Sequence, residues 1–179
     1  MNVFLERAET PWIPPTNLQL IGTFCFAAYC AYFANFGQQW VHLLDSANLM
    51  FHEAGHPIYG LLFGQGFMVY GGTLGQLTFP IVGAVAFWLR REANSFSFML
   101  IWLCENLWNI ARYLADARIQ VLPLVGGGEH DWTEILSHWG VLTRELSIAH
   151  SIRVFAWIGV VVTLAWLLQT KQSQSTGQL

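Results

Sequence analysis

The sequence predicts an all-α, polytopic membrane helix bundle of about five membrane helices in a single domain of 179 residues. Three observations predict it. The chain is 54% hydrophobic and only 11% charged, where soluble domains carry about a quarter charged residues. Apolar runs of about 20 residues, enough to cross hydrocarbon at 1.5 Å per residue, recur along it. Nine tryptophans, many near the ends of those runs, fit interfacial belts. The mean hydropathy of +0.42 agrees. The net charge of -3 argues against a nucleic-acid partner and leaves the lipid bilayer as the main surrounding.

Residues 1–17 are polar and Pro-rich, without a basic signal-peptide region, so the first apolar segment is expected to be retained. Pro14-Pro15-Thr16-Asn17 marks a helix start. Residues 18–37 carry no charge and form the first span. Residues 39–63 form the second, closed by Gly64 and Gly66. Residues 67–91 hold Gly71-Gly72-Thr73-Leu74-Gly75-Gln76 and an apolar third span ending at Arg90-Arg91. Small residues there allow close helix approach.

Residues 95–118 form the fourth span. Glu105, Asn109, Arg112 and Asp116 lie on one face at spacings of four, three and four, so Glu105 with Asn109 and Arg112 with Asp116 can pair as i,i+4 neighbours. Such a stripe points into a bundle. A glycine-rich loop through Gly126, Gly127 and Gly128 leads to Glu129-His130-Asp131-Trp132, and residues 133–143 read as a short amphipathic helix. Residues 150–168 are the last span, and 169–179 read as a disordered tail. Cys25, Cys30 and Cys104 lie in apolar runs without a CxxC pattern and read as buried, inert thiols. Arg90, Arg91 and Lys171 place their ends on the cytoplasmic side, whereas Arg112 and Arg118 weigh against this.

The chemistry concentrates in His52-Glu53-Ala54-Gly55-His56. Two histidines four residues apart fall about 40° apart on one helical face, where they can share a metal ion. Glu53 is placed to act as general base toward a water activated by that metal. A Glu and two His at membrane depth are costly, which favours a functional reading over ordinary helix packing. Pro57 removes the N–H that would bond the Glu53 carbonyl, so a kink or local opening is expected. Asp45 and Asn48 share the His52 face and are either partners of the ligating rings or, for Asp45, an interface residue. Gln76, polar at depth, either binds an extended substrate backbone or bonds a neighbouring helix.

The stretch from His52 through Gly64, His-Glu-Ala-Gly-His-Pro-Ile-Tyr-Gly-Leu-Leu-Phe-Gly, resembles the site-2 protease group of intramembrane zinc metalloproteases. The resemblance spans residues 45–135, is specific at the HExGH motif and is loose elsewhere. It implies Zn2+ held by His52 and His56, Glu53 as catalytic base, and a carboxylate third ligand from a later span. That family takes the third ligand from a Leu-Asp-Gly motif, which this chain lacks. Asp131 and His130 together rank first for the role, and Asp116 second. The implied activity is hydrolysis of peptide bonds in membrane-embedded proteins or peptides, in a multi-pass protein of a bacterial-type inner membrane, with room for a regulatory membrane partner. The rivals are a zinc-dependent hydrolase of lipid amides or esters and a non-catalytic metal-binding scaffold.

Overall fold

The computed structural model describes residues 10–36, 39–125 and 129–175, with the side chains of 174 and 175 excepted. The triple-glycine loop and the end of the expected tail therefore lie outside the described residues. The described chain is all-helical, its only extended pairing being an isolated bridge between Ile13 and Glu92. Six helices follow in order: α1 (Asn17–Asn35), α2 (His42–Phe63), α3 (Met68–Arg90), α4 (Ala93–Ala115), α5 (Asp131–His138) and α6 (Glu145–Ser175). Short 3-10 turns, Gln65–Phe67 and Leu142–Arg144, lead into α3 and α6.

Thr16 starts α1 with a reciprocal capping box. Its hydroxyl accepts from the Gln19 N–H at 3.2 Å, and the Gln19 side chain accepts from the Thr16 N–H at 2.8 Å. The helix turns Thr23, Ala27, Cys30 and Ala34 inward and leaves Leu18, Ile21 and Tyr32 exposed. Cys30 and Cys104 are buried thiols, but Cys25 sits on the exposed face of α1, because its spacing from Thr23 and Ala27 takes it off the inward stripe.

The second helix inverts the usual amphipathic pattern. Asp45, Asn48, His52 and Gly55 are buried, while Leu43, Met50, Leu61 and Leu62 are exposed. It remains one helix through Pro57 and ends at Gly64, whose φ of 95° is a conformation glycine adopts freely. The chain then doubles back, and α3 packs closely along α2. A side chain at Gly55 would collide with the Gly71 carbonyl, and one at Gly75 with the Phe51 carbonyl. Gly55→Ala is therefore expected to destabilise the protein by about 1–3 kcal/mol, the range for overpacking a filled interface. A fall in the detergent-solubilised melting temperature, relative to an exposed control at Gly22, checks it.

At the centre, α4 buries Ile101, Cys104 and Trp108 against α1 and α6 in one cluster with Ala27, Cys30, Ala156 and Val160. A second cluster, Ala111, Leu114, Ala117, Leu136 and Ala149, seats α5 beneath the end of α4. The polar stripe on α4 does not pair along its own helix. Asn109 donates to Asp45 at 2.6 Å, Glu105 accepts from Asn48 at 2.8 Å, and Arg112 donates to the Gln39 carbonyl at 3.1 Å. The inward polar faces of α2 and α4 meet, and Glu105 and Asn109 bond across that interface rather than one turn along α4. The last helix also runs past residue 168, so 169–175 is helix rather than disordered tail. Thr170 returns its hydroxyl to the Trp166 carbonyl and Lys171 donates to the Pro15 carbonyl at 2.8 Å, tying the extension to the start of α1.

Among the described residues three stretches are long and apolar enough to cross a membrane: Asn17–Asn35, Gln65–Arg90 and Leu142–Ser173. These support membrane association.

Candidate metal centre

His52 and His56, one turn apart on α2, face the same side with ring centroids 5.0 Å apart. Asp131, the first residue of α5, meets them there. Its Oδ2 lies 2.9 Å from His52 Nε2 and 3.4 Å from His56 Nε2. One ligand atom from each residue lies within 4.8 Å of the other two. Burial pushes the Asp131 carboxyl up, but the two imidazoles outweigh it and hold the group below the usual carboxylate range. Asp131 is therefore the charged, ligand-competent form.

The surroundings orient all three. Gln76 Oε1 faces His52 Nδ1 at 3.3 Å, and the Met68 carbonyl faces His56 Nδ1 at 2.8 Å. An acceptor at each Nδ1 favours the proton there and leaves the Nε2 lone pairs for a cation. The backbone N–H of Asp131 donates to the Tyr113 hydroxyl at 3.2 Å, and the Tyr113 ring stands edge-on to His52 at 5.8 Å. Thr133 fixes the first turn of α5 by donating to the Ala117 carbonyl while accepting from Gln120.

Gly72 supplies an independent test of fit. A Cβ there would collide with His52 Nε2 and lie 2.7 Å from His56 Nε2. The glycine keeps clear the space onto which both ring nitrogens open. Two imidazoles and one carboxylate, each second nitrogen satisfied, are a donor set suited to zinc. Under the zinc-binding reading proposed below, Gln76→Leu is expected to weaken metal binding by about 10- to 100-fold, the usual cost of losing such an outer partner. Titration against a competing chelator measures it.

These side chains line a cavity of about 940 Å3, shared with Glu53, Asn109, Arg112 and Tyr113 and walled on one side by Leu122, Pro123, Leu124 and Val125. Glu53 is half-buried where it lines the cavity. Gln76 borders the cavity too, but it is almost fully buried and engaged with His52. The Gly-rich stretch from Gly71 to Gln76 is helical, and α2 occupies the space beside Gly71 and Gly75.

Not every residue singled out from the sequence joins this group. His130 precedes α5 in extended conformation, which sends its ring away from Asp131. The ring stacks on Tyr113 at 4.1 Å, and its Nε2 is 3.7 Å from Asp116. Burial pushes the His130 imidazole below its ordinary value despite the two nearby aspartates. Asp116 accepts from the Val121 and Leu122 N–H groups, both at 3.0 Å, and so caps the turn after α4. Asp45 and Asn48 tie α2 to α4: Asn48 accepts from Trp102 and Asn106, and Asp45 accepts from Val41 and Asn109. Tyr113, Gly72 and the Met68 carbonyl are the contributors that sequence reasoning missed. Only Gly72 had a visible signal, its place in a glycine-dense segment beside the motif helix.

Comparison with protein-family models, curated proteins and solved structures finds no match.

Proposed function

We propose that this chain is an intramembrane zinc metallopeptidase of the site-2 protease type. The observation that carries the reading is the convergence of His52, His56 and Asp131 on the wall of a large cavity, with Glu53 beside them. The resemblance of the HExGH segment to that protease group supports it, as does the glycine-kept space in front of the imidazoles.

His52, His56 and Asp131 would hold the zinc. When bound, zinc acidifies water toward neutral pH and polarises a carbonyl. Glu53 accepts the proton of the attacking water and delivers it to the leaving amine. Gln76 and the Met68 carbonyl keep both rings in the required tautomer, and Tyr113 holds the start of α5 so that the Asp131 carboxylate stays in place. The amides of a membrane helix are already hydrogen-bonded, so a substrate must unwind locally to present its scissile bond.

The same reading places α2 and α4 in the membrane, making five spans. Their polar residues face each other, and their outward surface is apolar. That division keeps their average hydropathy low without exposing charge to lipid.

The test combines metal analysis with a cleavage assay in detergent or liposomes. Expected results are about one zinc per chain, peptide release from a membrane-embedded substrate, loss of that release on chelation and recovery on adding zinc. Zinc-free protein that cleaves equally well overturns the proposal. The apolar wall from Leu122 to Val125 favours, as second reading, a zinc-dependent hydrolase of lipid amides or esters. Fatty acid released without peptide would select it.

A further inference from the structure

The cavity has a second chemically distinct end. Arg112, on α4, lines it together with Trp40 and Asp45. A guanidinium carries five N–H donors in a planar fork. Among the described residues Arg112 makes one hydrogen bond, from Nη1 to the Gln39 carbonyl at 3.1 Å, and lies over the Trp40 ring at 5.7 Å. Arg153, from α6, reaches the same residue, donating from Nη2 to Gln39 Oε1 at 3.1 Å.

Two guanidinium groups thus meet on one neutral residue, and among the described residues neither forms an ion pair with a carboxylate. Asp45, which lines the cavity with Arg112, already accepts from the Val41 N–H with one oxygen and from Asn109 with the other. Arg112 has N–H donors to spare, and its planar fork is shaped to take a carboxylate in two parallel hydrogen bonds.

The position relates this end to the metal centre. Asp45 lies seven residues before His52 on α2, about 10 Å along the helix axis. An extended peptide covers that distance in roughly three residues. We propose that Arg112, supported by Arg153, binds the C-terminal carboxylate of a peptide whose scissile bond lies at the His52–His56–Asp131 group, so that the protein trims short segments from C-termini. This rests on the peptidase reading.

The test uses the full-length Glu53→Gln protein in detergent, which leaves bound peptide uncut. The probes are an apolar ten-residue peptide with a free C-terminal carboxylate, the same peptide amidated, and dodecyl phosphate. Calorimetry is expected to show the free acid binding at least about tenfold more tightly than the amide, the scale of a charge-assisted pair. Arg112→Gln is expected to erase that difference and Arg153→Gln to reduce it several-fold. Should Arg112→Gln fail to fold, Arg153→Gln decides: an unchanged preference for the acid overturns the proposal. Equal binding of acid and amide also overturns it, as does dodecyl phosphate binding more tightly than the acid in an Arg112-dependent way, which would assign the site to a phosphate amphiphile. Wild-type protein that cleaves neither peptide, with the Arg112-dependent preference intact, sinks the peptidase reading and leaves the carboxylate site standing.

Discussion

Glu53→Gln is expected to reduce hydrolysis by about 100- to 10,000-fold while zinc stays bound, the span attributed to a positioned general base. The amide matches the carboxylate in shape, so the cavity wall that Glu53 lines keeps its form. It cannot accept a proton from water at neutral pH, and it carries no negative charge. His52 and His56 keep their orientation, because they are held from α3 through Gln76 and the Met68 carbonyl rather than through Glu53. A purely structural role for Glu53 predicts a different pattern, with zinc content and melting temperature falling alongside activity. Cleavage that persists at near wild-type rate in a fully metallated variant would remove Glu53 from the proton-transfer role and with it the proposed mechanism.

The helices were largely legible because each apolar run is bounded by a local signal. Thr16 with Gln19, Gly64 and the Arg90-Arg91 pair all act within a turn of where they stand, so their meaning survives without the rest of the fold. The end of α6 was not legible, because residues 169–175 have the polar composition of a tail and are held as helix by a contact with Pro15 at the other end of the chain. The α4 stripe shows the same limit from inside the bundle. Its spacing reveals a polar face, but whether Glu105 pairs with Asn109 or with Asn48 depends on which helix lies opposite. The motif histidines are readable because four-residue spacing on a helix forces two side chains together. The residue that completes the group is set by how a distant loop delivers α5, and adjacent His130 and Asp131 look alike in sequence. The backbone separates them: His130 is extended before the helix and Asp131 is its first residue. An orienting acceptor such as the Met68 carbonyl has no sequence signature, since every residue carries one.

That distinction sets the largest expected difference among single substitutions for metal binding. Asp131→Ala is expected to lower zinc affinity by more than about 100-fold, beyond the 10- to 100-fold range for removing an outer partner, and to leave the purified protein nearly zinc-free. Asp131→Asn should behave similarly, because it keeps the shape but removes the anionic oxygen that lies near both His52 and His56. Neither change touches the bond that places the residue, which runs from its backbone N–H to the Tyr113 hydroxyl, so the start of α5 stays in position. His130→Ala and Asp116→Ala are the controls. His130→Ala removes a ring stacked on Tyr113, and Asp116→Ala removes the acceptor for the Val121 and Leu122 N–H groups. Both are expected to cost stability, about 1–3 kcal/mol for the unsatisfied amides left by Asp116→Ala, while zinc stoichiometry in the folded fraction is unchanged. Metal content per folded chain across the four variants separates a ligand from a scaffold residue. If Asp131→Ala retains full zinc while either control loses it, the third ligand lies on the other side of Tyr113 and the centre must be rebuilt around the His130–Asp116 pair.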